Sequence, residues 1–385
     1  MRLNSFFPVV DNRAIELALS VIRQSSRSRP ADAVLRETLK QQRGLPPDSS
    51  RKTARAVFAW FRWRGWFDGA EPDEARLPEA RALQEQFDRE PQGFSDEELD
   101  ARTTPGWVRE EVAITAGWKR ALQTKPRTWL RARPGTAGEV AGKLNACRLS
   151  ERVPDALEYL GREDLFCTEL FQAGAFEIQD ISSQVVGLAC DPQPGETWWD
   201  ACAGEGGKTL HLSALMRNKG LIWASDRAEW RLKRLKRRAA RAQVFNYRAA
   251  LWDGGPTLPT RTLFDGVLLD APCTGLGTWQ RNPHARWTTT PEDVRELAAA
   301  QQRLLASAAP SVKPGGRLLY AACTLTRAET EGVAAEFERS FPDFEPFPVR
   351  NPYASDEAGA VRVWLWPQET DGSGMFIAAW RRQPA

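Results

Sequence analysis

Histidine is almost missing from this chain: its 385 residues include two, His211 and His284. The six cysteines, at 147, 167, 190, 202, 273 and 323, form no Cys-x-x-Cys pair. Without clustered nitrogen and sulfur donors no metal site is expected, and a disulfide framework does not suit a chain of this size. Long apolar runs are missing too. No stretch approaches the roughly 18 apolar residues of a membrane span, and the start, MRLNSFFPVVDNR, has no signal-peptide core. The expectation is a cytoplasmic protein with no membrane partner. Tyrosine is scarce, at four against sixteen tryptophans, and the indoles read as core fillers with some amphipathic surface. A net charge of +3 is too small to indicate nucleic acid alone, although an isoelectric point near 8.5 does not forbid it.

The length allows two or three domains, each able to bury a core. Residues 1–100 read as a helical domain plus linker. Ile15, Ala18, Leu19 and Ile22 give a helical stripe over 11–23 behind Asp11 or Asn12 as cap, and Val34, Leu35 and Leu39 a weaker one over 31–43. Over 51–67, Ala54, Val57, Phe58 and Phe61 form a third stripe, flanked by Trp60, Trp63 and Trp66 with arginines interleaved. That mixture suits either a bundle with a solvated basic face or single-stranded nucleic acid. Residues 68–104 are acidic and rich in Pro and Gly, the composition of a linker carrying one helix near 79–89. A helix is expected over 107–123. Residues 101–175 read as a small α/β module, with a strand at 128–133, a helix at 136–145 and strand-like pieces over 152–166.

From 176 to 385 the pattern becomes a regular alternation. Apolar strands at 196–200, 221–226, 263–269 and 316–322 are separated by helices at 179–190, 208–217, 227–242 and 292–309. Such alternation implies right-handed crossovers and a mostly parallel sheet with helices on both faces. Two last strands, 362–366 and 375–380, would close the sheet as an antiparallel pair.

Phe264–Trp287, FDGVLLDAPCTGLGTWQRNPHARW, is the centre of this region. An apolar run breaks at Pro272, Gly275 and Gly277 into a turn that puts Asp270 and Cys273 at the carboxyl end of a buried strand. Ligands bind at that edge of an open α/β sheet. Cys323 follows a second such strand. A buried cysteine is most often inert, and Cys147, Cys167 and Cys190 are read so, but two thiols at ligand-binding strand ends point to chemistry. Methyl transfer to carbon 5 of a pyrimidine needs a thiolate adding at carbon 6, an acid to offset the developing charge and a second group for release.

The loop Asp200-Ala-Cys-Ala-Gly-Glu-Gly-Gly-Lys-Thr209 opens a helix whose free N–H groups face a ligand. A P-loop would need Gly where Cys202 stands, and a dinucleotide loop fits poorly at Thr209. S-adenosyl-L-methionine, with its Asp-x-x-x-Gly-x-Gly loop, is satisfied by Asp200, Gly204 and Gly206. Asp226, 20 residues past Gly206, suits ribose hydroxyls, and Asp253 suits an adenine amine.

DACAGEGGKT, FDGVLLDAPCTGLGTWQRNPHARW and GGRLLYAACT, with QDISSQ before and DGSGMFIA after, resemble the Sun/Fmu (RsmB-like) family of RNA cytosine-5 methyltransferases over about 176–380. Residues 105–175 look like that family's RNA-binding module, and 1–70 faintly like a shortened NusB-like domain. The resemblance implies a class I methyltransferase fold and 5-methylcytosine formation in structured RNA, ribosomal or else transfer, by a monomer. It makes Cys323 the nucleophile, lets Cys273 expel the enzyme from the product, and lets Asp270 face both cofactor and cytosine and Lys208 touch both. It assigns the cofactor to Cys202, Ala203, Gly204, Glu205, Gly206, Gly207 and Lys208, with Asp226, Arg231, Asp253 and Asp270. Glu205 stands where the family has Pro, putting a carboxylate by the cofactor, and Ala322 stands where it has Thr. The basic run Arg227–Arg241 reads as solvated surface or a phosphate track, and Arg281, Arg286 and Trp287 as better placed to meet RNA. The alternatives are a methyltransferase acting on another RNA base or on protein, and a silent RNA-binding assembly factor of the same fold.

Overall fold

The computed structural model describes residues 12–42, 44, 46–354 and 359–384. Contacts divide the chain into two compact units: one runs to Lys125 and includes Thr278–Thr290, the other comprises Pro126–Gly277 and Pro291 onward. This boundary differs from the composition boundaries at 100 and 175.

The first unit is helical. Helices Asn12–Gln24, Ala31–Gln41 and Pro47–Trp63 bury the expected stripes, while Asp11 and Arg43 lie outside the described residues. Trp60 and Trp63 do not flank the core; both are inside it. Residues 68–104 depart from the linker reading. Leu77, Ala80 and Phe87 on helix Arg76–Arg89, then Phe94 and Leu99, are buried in that same core. Pro78 sits in the first turn of helix Arg76–Arg89, where a proline costs no helical hydrogen bond, and Pro91–Gly93 form a 3-10 turn after it. The helix expected over 107–123 breaks into Val108–Glu111 and Ala116–Gln123, because the Thr115 hydroxyl accepts from Trp118 N–H at 3.1 Å and caps a new start.

The second unit holds two sheets. The smaller is antiparallel, in order β2–β3–β1–β4, from β1 Thr128–Ala132, β2 Cys147–Leu149, β3 Ala156–Tyr159 and β4 Phe176–Ile178. The larger is built on β5 Thr197–Asp200, β6 Leu221–Asp226, β7 Tyr247–Leu251, β8 Phe264–Asp270 and β9 Val312–Ala322. These five are parallel, in order β9–β8–β5–β6–β7. The expected closing pair is β11 Arg362–Leu365 against β12 Met375–Arg382. β12 also runs antiparallel to β9, with Ala378 opposite Tyr320, and β10 Phe344–Pro346 lies beyond it.

Side-chain alternation sends Trp199 of β5 into one core layer and Trp198 into the layer on the opposite face. β5 is thus buried on both sides, which is why its two central residues are both large and apolar. From β5 the chain steps outward through β6 and β7, then returns to build β8 and β9 on the other side. That reversal opens a crevice at the carboxyl ends of β5 and β8.

Candidate active site

A cavity of about 680 Å³ opens at this reversal, within the roughly 300–1,000 Å³ usual for ligand sites. Its floor is the turn after β5. Gly204 has φ +56 and would carry a Cβ into open space, and its N–H donates to Asp226 Oδ2 at 3.1 Å. Asp226 Oδ1 accepts from Ala228 N–H at 2.8 Å, and Arg231 reaches Oδ2 at 3.5 Å. The carboxylate at the end of β6 is therefore held at the cavity wall. Cys202, Ala203, Gly204, Glu205, Gly207, Lys208, Asp226, Arg231, Asp253 and Asp270 all line the cavity.

Gly206 is not among the lining residues. Its φ is +87, and a Cβ there would sit 2.6 Å from Leu235 Cγ. This glycine lets helix Glu229–Ala242 pack against the turn. Glu205 lines the cavity, but Arg234 holds its carboxylate at 2.6 Å. The extra charge expected beside the cofactor is thus paired on the basic helix.

Two charged groups meet at the floor. Lys208 Nζ donates to Asp270 Oδ2 at 2.6 Å and to Ser183 Oγ at 3.0 Å. Burial works against the ammonium, yet the Asp270 carboxylate outweighs it and the Lys208 pKa ends above its usual value, with the Cys323 charge helping. Asp200 is fully buried; Thr209 donates to its Oδ2 at 2.6 Å, while Oδ1 has no hydrogen-bond partner among the described residues. Burial pushes its pKa up to about 7. A buried carboxylate oxygen left over at a cavity wall suits a cationic ligand group. S-adenosyl-L-methionine, whose amine would meet Asp200 and whose ribose would meet Asp226, fits these residues.

Three residues past Asp270 the two thiols meet, although neither is among the residues that line the cavity. Cys273 Sγ and Cys323 Sγ are 3.2 Å apart. The hydrogen bond with Cys323, together with burial, holds the Cys273 thiol well above the ordinary range. Cys202 and Cys190 are also pushed up by burial. Cys147 and Cys167 lie on β2 and at the short turn Leu165–Cys167.

Other residues depart from their sequence reading. Arg286 does not face solvent. It is fully buried in the first unit, donating to the carbonyls of Arg62, Thr103 and Leu122 and to Gln123 Oε1. Trp287 Nε1 donates to Phe61 O at 2.6 Å. Both are core anchors. On the basic helix, Arg238 and Arg241 bond Glu177, while Lys236 and Arg237, and Arg227 just before the helix, are exposed. Sequence reasoning missed Gln179, Ser183, Trp252 and Arg303, which line the cavity, and Glu329. For the first two a signal existed: QDISSQ supplies Asp180, which caps helix Ile181–Cys190 and accepts from Ser373 N–H of DGSG, so two of the recurring stretches meet.

A probable ribosomal RNA small subunit methyltransferase B of Synechocystis sp. is 39% identical over 297 residues, 71% of this chain and 66% of the relative. A Bacillus subtilis protein of the same description is 37% identical over 302 residues, 72% of this chain and 66% of the relative. The chain thus spans just under two thirds of the length of these relatives. The crystal structure of PH0851 superposes with a TM-score of 0.78 at 26% identity, covering 96% of this chain and 98% of that one. The sequence profile of the 16S rRNA methyltransferase RsmB/F family matches residues 187–381, from within helix Ile181–Cys190 to the end of β12. By its glycine loop, its paired cysteines and this match, the chain belongs to the RsmB/F family of methyltransferases, whose cofactor is S-adenosyl-L-methionine.

Proposed function

We propose that the chain methylates carbon 5 of a cytosine in ribosomal RNA. The observation that carries this reading is the 3.2 Å contact between Cys273 and Cys323, with Cys273 following directly on the cavity-lining residues Asp270, Ala271 and Pro272. Carbon 5 of cytosine is a poor nucleophile until a thiolate has added to carbon 6. Cys323 is the sulfur assigned to add, with Cys273, whose thiol its hydrogen bond and burial hold above the ordinary range, as its partner. Asp270, with one oxygen held by Lys208, would share a proton with the ring nitrogen through its other oxygen, which offsets the negative charge that develops there. S-adenosyl-L-methionine supplies the methyl group as an electrophile. The carbon 5 proton passes to a solvent base as the carbon 6–sulfur bond breaks, its electron pair returning to Cys323, and Cys273, touching the sulfur that must leave, assists that departure.

In this reading Cys202–Gly204, Gly207, Lys208, Asp226, Arg231 and Asp253 hold the cofactor, and the small sheet β1–β4 docks RNA. The test combines labelled cofactor, RNA and two variants. Cys323→Ala should transfer no label. Cys273→Ala should accumulate a protein–RNA complex that survives a denaturing gel, and digestion of wild-type product should yield 5-methylcytosine. An active Cys323→Ala protein overturns the nucleophile assignment. A silent RNA-binding factor would bind RNA yet form no adduct with 5-fluorocytosine RNA.

A further inference from the structure

A buried carboxylate lies behind the two thiols, and the reaction above does not use it. Glu329 is fully buried in the π-helical turn Ala328–Gly332 that follows β9, a helix defect that often accompanies functional sites. Its Oε1 accepts from Thr274 N–H at 2.9 Å and from Gln301 Nε2 at 3.0 Å. Its Oε2 accepts from the hydroxyls of Thr274, Thr324 at 3.2 Å and Thr326 at 2.9 Å. Thr274 follows Cys273 and Thr324 follows Cys323, so one carboxylate grips the residue after each cysteine. Gln301 extends the grip: its Nε2 also donates to Pro272 O at 2.9 Å. The peptide groups on both sides of Cys273 are thereby fixed. Gln301 is itself held by Tyr320 of β9, whose hydroxyl lies 2.9 Å from Gln301 Oε1 and 2.6 Å from Glu329 O.

Burying a carboxylate costs several kcal/mol unless donors satisfy it. Burial does raise the Glu329 pKa, against four side-chain and backbone donors that lower it. For packing alone an apolar residue of this size would serve as well or better. What an apolar residue cannot do is bond two separate turns through one rigid group.

We propose that Glu329 is a positioning residue, which clamps the turn after β8 to the turn after β9 and so holds Cys273 and Cys323 in register for the reaction. The clamp rests on the cytosine-5 reading for its purpose but not for its geometry, and the experiment separates the two. The full chain is prepared as wild type, Glu329→Gln and Glu329→Ala, each assayed below its own melting temperature. Two rates are measured: closure of the Cys273–Cys323 disulfide by diamide, which takes up the two thiol hydrogens and needs neither RNA nor cofactor, and adduct formation with 5-fluorocytosine RNA.

Misplacing reacting groups by about 1 Å costs roughly 100-fold in rate. Glu329→Ala should lose about that factor in adduct formation, slow the disulfide closure and keep the wild-type affinity for S-adenosyl-L-methionine. Glu329→Gln keeps one acceptor oxygen for Thr274 N–H and Gln301, and its amide can donate to two of the three hydroxyls, so it should recover much of the loss. Glu329→Ala at wild-type rates in both assays overturns the clamp. A wild type that forms no adduct, while Glu329→Ala still slows disulfide closure, overturns the cytosine-5 reading and supports the clamp.

Discussion

Asp200 holds a proton that its unfolded counterpart has already lost. With a pKa near 7 in place of 3.8, the folded chain binds more protons than the unfolded chain between about pH 4 and pH 7. Stability attributable to this group is therefore full below pH 4 and falls as pH rises through 7. Three units bound the effect at ~4 kcal/mol. Thermal melts of wild type and Asp200→Asn at pH 5 and pH 8, without cofactor, should show the variant gaining on wild type as pH rises. An equal difference at both pH values would mean that Asp200 is ionised throughout. Cys323 and Asp270 could be found from sequence because their turns announce strand ends. Glu329 could not. Nothing in TLTRAETEG sets its first Glu apart, and only the convergence of Thr274, Gln301 and Thr324 gives its carboxylate a task.

Among the elements, the alternation of the large sheet was legible because strands buried on both faces leave unbroken apolar runs. β7 escaped that rule. It is an edge strand with Arg248 and Leu251 exposed, so no such run marks it. The closing hairpin was legible from its glycines, but not what one of their partners does. Gly277 N–H donates to Cys323 O at 3.0 Å, and Gly277 O accepts from Gly374 N–H at 2.8 Å just before β12. Three segments are stitched through one residue. A Cβ on Gly277 would lie 1.9 Å from Gly374 O, a backbone atom that cannot swing aside. Gly277→Ala should cost about 1–3 kcal/mol, read by denaturant unfolding, and should slow adduct formation by displacing Cys323. Unchanged values of both would show that the hairpin yields freely.

For the whole molecule, composition misled where three-dimensional closure decides. The acidic, Pro-rich stretch 68–104 supplies Leu77, Phe87, Phe94 and Leu99 to the first core, and a linker has no such duty. Arg286 was misread for the same reason: its acceptors at Thr103 and Leu122 lie 183 and 164 residues away. Arg286→Met leaves buried carbonyls unpaired, at about 1–3 kcal/mol each. It should lower the melting of the helical unit while S-adenosyl-L-methionine binding by the second unit persists. Loss of both together would mean the two units unfold as one.

The detour of Thr278–Thr290 into the helical unit also sets an order of events during synthesis. When Lys125 has left the ribosome, that unit still lacks the segment carrying Arg286 and Trp287, which arrives 165 residues later (290 − 125). At about 5–20 residues per second this is a wait of roughly 8–33 s. The amino-terminal helices must spend it with an unfinished core, open to chaperones, until the later half of the message has been read.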